Sequence, residues 1–197
     1  MGRPRVLVHG FGVNDADYTV QPTINGKREV CAIYSAWKNM IARCYSKNHQ
    51  QQCKTYIGVT VCDEWKSFMA FRKWWIENHV DGWHLDKDLL TDNRQYSPKN
   101  CIYIPRWLNN FTIDHGLARG EWPIGVHMER VSGLFVATCN SPETLKRVTI
   151  GRFKTPIEAH LAWKAKKLEH AAQMKVMMDS IDSRIYHRVL DTINRAK

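Results

Sequence analysis

From Tyr34 the apolar residues Tyr34, Trp37, Met40, Ile41, Cys44 and Tyr45 recur at helical spacing, with Lys38, Asn39 and Arg43 between them. That period predicts an amphipathic helix. Residues 1–30 mix Gly, Pro, Asn and Asp with short apolar pieces of no sustained period, and read as an irregular arm. The polar run 46–52 reads as a loop and 57–62 as a β-rich run. Asp63 is then placed to cap a helix carrying Trp65, Phe68, Met69, Arg72, Trp75 and Ile76 on one broad face, an aromatic stripe that reads as core.

The next stretch reads as strand, loop, strand, helix. Residues 84–90 predict one strand, Asp92-Asn93 and Ser97-Pro98 are turn signals, and 101–104 predict a second strand. Pro105 suits the first position of a helix running to Phe111. Gly116, Gly120 and Pro123 punctuate a hinge. Beyond it, 124–130, 134–139 and 147–153 are β-rich runs separated by turns, which predicts an antiparallel meander. Thr155, Pro156 and Glu158 form a capping box opening a helix with Ile157, Leu161, Trp163, Leu168 and Ala172. Ile181, Ile185, Val189 and Ile193 predict a last helix that packs back or mediates association. The expected fold class is α+β. Its parts are an arm over 1–30, a domain over 31–115, a hinge over 116–122, and a sheet-plus-helix domain over 123–197 ending in a helix.

Composition narrows the class. At 44% hydrophobic and 11% aromatic, the 197-residue chain can bury a core, which excludes wholesale disorder. No run approaches the ~18 apolar residues of a spanning helix, and the basic N-terminus lacks a secretory apolar run, so no membrane partner is expected and the protein is expected inside the cell. The formal charge is +10, and 15 basic against 11 acidic residues through His115, then 14 against 8 beyond it, make both parts basic. A polyanion is the first partner such a balance suggests, with a solvated basic surface as the plainer reading. The cysteines at 31, 44, 53, 62, 101 and 139 contain no C-x-x-C pair, so they read as free thiols, mostly buried. A structural zinc drawn from Cys31, Cys44, Cys62 and Cys101 is not expected.

The sequence LDKDLLTDNRQYSPKNCIYIPRWLNNF, with Asp86 on a strand, Asn100 heading the next and Asn109 in the helix, resembles the ββα-metal fold of HNH endonucleases. It looks most like phage-borne members, and the segments WKNMIARCY and VTVCDEWKSFMAF upstream extend the resemblance over about 31–111. The resemblance implies that Asp86 and Asn109 hold one divalent cation, magnesium first and manganese second, and that Asn100 braces the loop between the strands. Magnesium prefers oxygen ligands and keeps several waters, which leaves room for a scissile phosphate. One departure stands out: Lys87 occupies the place of the family's general-base histidine. Flanking Asp86 and Asp88 favour a charged lysine, so Lys87 reads as a phosphate or transition-state contact. His84, two residues from Asp86 and on the same strand face, is the replacement base, with metal-bound water as the other source. The plainer reading of Asp86, Lys87 and Asp88 is a solvated turn holding an ion pair.

The segment IGVHMERVSGLFVATC followed by RVTIGRFKTPIEAHLAW resembles the DNA-binding domain of plant ethylene-response factors, over about 123–172. That module is also found appended to phage HNH nucleases. The resemblance implies a three-stranded sheet entering the major groove of double-stranded DNA, with the helix bracing it from behind. His127, Thr138, Arg147 and Thr149 fall on family contact positions, Arg147 being the best match, and Arg130 and Arg152 are candidates for phosphate contact. Thr149 replaces a tryptophan and Glu129 puts an acid where the family is usually basic. A basic sheet with no ligand is the plainer reading here, since Lys164, Lys166 and Lys167 on the helix account for much of the charge.

Together these resemblances imply a site-selective, metal-dependent DNA endonuclease of homing or free-standing type, acting in the cytoplasm of a bacterial host. The alternative is a DNA-binding protein whose HNH centre no longer cuts. An RNA-binding structural role lacks a stacked-aromatic motif in the sequence.

Overall fold

A computed structural model describes residues 6–112 and 121–197. The described chain is mixed α+β with small sheets. In chain order its elements are β1 (Thr23–Ile24), β2 (Lys27–Arg28), α1 (Ala32–Tyr45), α2 (Lys47–Gln52), β3 (Thr60–Val61), α3 (Phe68–Asn78), β4 (His84–Asp86), β5 (Gln95–Tyr96), β6 (Ile102–Ile104), α4 (Arg106–Thr112), β7 (Val126–Met128), β8 (Phe135–Asn140), β9 (Arg147–Phe153), α5 (Pro156–Gln173), α6 (Lys175–Ile181) and α7 (Ile185–Arg195). The described residues fall into two compact units. One takes the chain up to Asp81 with Thr91–Tyr103, the other Gly82–Leu90 with Ile104–Lys197.

In the first unit α1 buries Tyr34, Trp37, Met40, Ile41 and Cys44, the face its period marks. Trp37 is fully buried and its Nε1 donates to the Trp65 carbonyl at 2.8 Å, so the ring's polar atom is satisfied inside the core. The arm is irregular but anchored. A Cβ at Gly12 would stand 2.5 Å from Ile41 and 2.7 Å from Trp37, so only glycine lets the arm lie on α1. The Val13 amide donates to Lys66 and its carbonyl accepts from Phe68. The Asp15 carboxylate accepts from the Ser67 hydroxyl at 2.6 Å and the Met69 amide at 2.9 Å.

Three local expectations are corrected here. Ser67, not Asp63, is the N-cap of α3, its hydroxyl accepting from the Ala70 amide, whereas Asp63 has right-handed helical backbone and opens only a 3₁₀ turn over Glu64–Lys66. The later start changes the phase: Phe68, Phe71 and Trp74 are buried and Ile76 is 55% exposed. Residues 47–52 are helical because Ser46 caps them, accepting from the His49 amide. They have no buried residue, so no apolar period announces that helix. Within 57–62 only β3 is strand, and it pairs in parallel with β5, which the sequence pattern does not mark.

In the second unit the first strand stops after Asp86 instead of running to Leu90. Asp86 Oδ1 accepts from the amides of Asp88 at 2.8 Å and Leu89 at 2.7 Å, which turns the chain. Strands β7, β8 and β9 form the expected antiparallel meander, with a bulge between Ala137 and Thr138. Its inner face, Ala137 and Cys139, packs on Ala159 and Trp163 of α5. The capping box of Thr155 and Glu158 is made as the sequence predicts. Gly125 has φ +81°, and a Cβ there would lie 2.0 Å from the Trp163 ring, so glycine is required twice over. The four-residue isoleucine step breaks at 182–184. Ile181 ends α6, while α7 buries Ile185, Val189 and Ile193 and packs back on α5 and α4.

The contacts that join β4 and α4 to the C-terminal elements are specific. Arg188 Nε donates to the Leu89 carbonyl at 3.1 Å, and Lys167 Nζ to the Phe111 carbonyl at 2.6 Å. The compact units therefore divide the chain differently from the linear partition at 31–115 and 123–197. Of the expected hinge, only Glu121 and Trp122 are among the described residues.

Candidate functional site

Two constellations of the second unit carry chemistry. The first joins β4 to α4. His84 Nδ1 and Asn109 Nδ2 lie 3.2 Å apart, although 25 residues separate them in sequence. Asp86, two residues along β4, shares the strand face of His84. It is half-buried. Burial raises its carboxyl above the ordinary carboxylate range, with the amides of Leu89 and Asp88 acting in the opposite direction. Its Oδ1 is taken by those amides, while its Oδ2 and the Asn109 oxygen accept no hydrogen bond from the described residues.

Lys87 does not face solvent: it is 6% exposed and its ammonium sits on both oxygens of Asp88, at 2.5 and 2.6 Å. A surface phosphate contact would require it to leave that pair. Asn100 belongs to the first unit, where its side-chain amide donates to the Gln95 carbonyl at 2.9 Å and closes the 95–100 loop. Among the described residues no three His, Cys, Asp or Glu side chains gather as a metal-binding group. A cation at β4 and α4 would thus draw on carboxylate, amide and water oxygens, a donor set that fits magnesium. All six cysteines are free thiols. Cys44, Cys101 and Cys139 are buried, Cys31 and Cys62 half-buried, and Cys53 exposed.

The second constellation is the outer face of the sheet. Strand register puts His127, Val136 and Arg152 in one row, Thr138 opposite Thr149, and Asn140 opposite Arg147, all on the face turned away from α5. His127, Thr138, Arg147, Thr149 and Arg152 are therefore brought together. Arg130 lies exposed in the turn after β7. Arg147 donates from Nε and Nη2 to the Thr138 hydroxyl at 3.0 and 2.8 Å, and its Nη2 lies 3.5 Å from His127 Nδ1. Arg152 is differently engaged. Its guanidinium grips both oxygens of Glu129 at 2.9 and 3.0 Å, and the Ser132 hydroxyl donates to the same carboxylate. These donors, Arg152 above all, pull the Glu129 carboxyl down to about 2.

One of the helix lysines that contribute to the basic charge is buried. Lys167 is 8% exposed, and it follows Trp163 by four residues on the buried stripe of α5, with Ala171 four further on. That spacing was the available signal, because a lysine at i+4 from a core tryptophan belongs to the core face. Comparisons with protein-family models, curated proteins and solved structures return no match for the chain.

Proposed function

We propose that the chain is a metal-dependent DNA endonuclease of the HNH kind, its ββα-metal centre at β4 and α4 and its DNA-reading surface the outer face of the three-stranded sheet. The observation that carries the reading is the meeting of His84 and Asn109 across 25 residues, beside Asp86 on the same strand face. A strand carboxylate, a helix amide and an imidazole are the parts this chemistry needs.

Asp86 Oδ2 and Asn109 Oδ1 would hold the cation, which supplies charge stabilisation at the phosphoryl oxygen and the departing 3′-oxygen. The half-buried Asp86 carboxylate, with Oδ1 fixed by two amides, presents its other oxygen without rotating. His84 accepts a proton from water at Nε2 when its own proton sits on Nδ1. In that tautomer Nδ1–H donates to the Asn109 oxygen, which a half-turn of the amide brings to the same place, and the oxygen's second lone pair stays available. One hydrogen bond thereby orients the base and the ligand together. On the sheet, Arg147 is the residue suited to bidentate guanine contact, and Arg130 to phosphate.

A second reading, DNA binding without cleavage, is favoured by one observation: Lys87, at the family's base position, is buried on Asp88. Plasmid incubated with purified protein, in magnesium or in EDTA, separates the two. Magnesium-dependent nicking or cutting is expected, with Asp86→Asn and Asn109→Ala losing it while duplex binding persists. His84→Ala is expected to slow single-turnover cleavage by on the order of 100-fold, with partial rescue by added imidazole. Binding with no cleavage under any divalent cation establishes the second reading.

A further inference from the structure

The second unit contains a cavity of about 310 Å³ that shares Thr138 and Arg147 with the sheet constellation and no residue with the one at β4 and α4. It opens where the end of the sheet meets α4, and its lining is chemically divided. Trp107, half-buried, lines it together with Trp163, of which only 5% is exposed. Asn110, Asn140 and Arg147 are exposed at its rim, and Lys167 lies at its buried floor. Its volume is at the small end of the roughly 300–1,000 Å³ typical of ligand sites.

Lys167 is the unusual member. It is a cation 92% removed from solvent by residue exposure, and its one hydrogen bond among the described residues is to the Phe111 carbonyl at 2.6 Å. Its Nζ also lies 3.3 Å from the centroid of the Phe111 ring. An ammonium has three N–H donors, and the carbonyl takes one, so a ligand with acceptor atoms would complete the group. No carboxylate pairs with it among the described residues. Burial pushes it down to about 8. The walls are held rigid as well. Trp163 is stacked on His160 at 15° and pressed against Gly125, so its ring cannot collapse into the space. At the rim, Arg147 has Nη1 free of hydrogen bonds to described residues, and the amides of Asn110 and Asn140 offer both donors and acceptors.

We propose that this cavity binds a nucleotide, the base lying against Trp107 with an acceptor edge toward Lys167, and the phosphate at Arg147. The chemistry is specific in three ways. A planar aromatic body suits the indole of Trp107, acceptors such as a purine O6 and N7 suit a lysine donor, and an anion suits an exposed guanidinium. The nucleotide has two sources, a residue extruded from bound duplex or a free mononucleotide. The first rests on the DNA-binding reading above, because Arg147 and Thr138 belong both to the cavity and to the outer sheet face.

The test uses the full chain. In an NMR titration with each deoxynucleoside 5′-monophosphate, the Trp107 and Trp163 indole signals should shift saturably, and saturation transfer should reach the base protons. Lys167→Met, checked for folding by circular dichroism, should weaken binding on the order of tenfold or more. The saturation-transfer result on the unaltered protein stands whether or not that variant folds. Inorganic phosphate that saturates the same signals as well as nucleotide does overturns the proposal, since the site then reads only an anion. Duplexes carrying 2-aminopurine at scattered positions distinguish the sources. A fluorescence rise on binding, reduced by Lys167→Met, supports extrusion; nucleotide binding without that rise supports the free ligand. Nucleotide binding by a protein that fails to bind duplex leaves the site standing and removes the DNA-binding reading. Duplex binding with neither nucleotide binding nor a fluorescence rise removes the site and leaves that reading intact.

Discussion

Asp86 and Lys167 show how a single side chain is judged by its partners more than by its type. Asp86 spends one oxygen on turning the chain, so its substitutions separate architecture from chemistry. Asp86→Asn keeps an oxygen for the Asp88 and Leu89 amides and should unfold within about 1 kcal/mol of the original chain in urea. Asp86→Ala leaves those amides without their acceptor and should cost about 1–3 kcal/mol. Equal losses for both would mean that the carboxylate charge, not the turn, carries the stability. Lys167 gives a pH signature. Its ammonium is held near 8 in the fold against an ordinary value of 10.5, with burial as the cause. Between those values the unfolded chain binds the proton and the folded chain does not, so stability contributed at this position rises as pH climbs from about 8 toward about 10.5. Below about 8 the buried charge carries its full cost. Lys167→Met should therefore gain on the original chain most at neutral pH. That relative gain should shrink by up to roughly 3 kcal/mol by pH 10.5, as read from urea midpoints across pH.

At the level of elements, what the sequence disclosed depended on how far apart the cooperating residues lie. The capping box of α5 joins Thr155 and Glu158, three residues apart, and it reads directly from the chain. The start of α3 is set instead by Ser67 together with Asp15, 52 and 54 residues from the groups it accepts from. No local pattern announces that partnership, and Asp63 is the nearer and misleading cap. Asp15→Ala should accordingly destabilise the protein by about 1–2 kcal/mol, whereas Asp63→Ala should stay within about 0.5 kcal/mol, measured by chemical denaturation. The same distinction runs through the candidate site. The alternation of β7 to β9 is enough to gather His127, Thr138, Arg147, Thr149 and Arg152 on one face, because strand period is local. The pairing of Arg152 with Glu129 was not legible, since it depends on which turn the chain takes at 130–133. Neither was the burial of Lys87 on Asp88, since Asp86 bends the expected strand there.

Across the whole molecule the net charge of +10 bears on how the sheet would meet the proposed DNA partner, and the Arg152–Glu129 pair subtracts from it where contact is proposed. Arg152 is exposed and Glu129 half-buried at the surface, so Glu129→Gln should leave thermal stability nearly unchanged. It should tighten duplex binding at low salt and steepen the dependence of log affinity on log salt by about one unit, as a freed arginine takes a phosphate. An unchanged slope would place Arg152 outside the interface. The interleaving of the two compact units bears also on inheritance. The chain passes from one unit to the other at 81–82, at 90–91 and at 103–104, so a single recombination joint within 82–103 gives neither parent's unit entire. A graft of 123–197 alone would carry Lys167 away from the Phe111 carbonyl that receives it. Shuffled descendants that keep a working sheet should therefore have exchanged α4 along with it, and the two segments should travel through recombination as linked cargo.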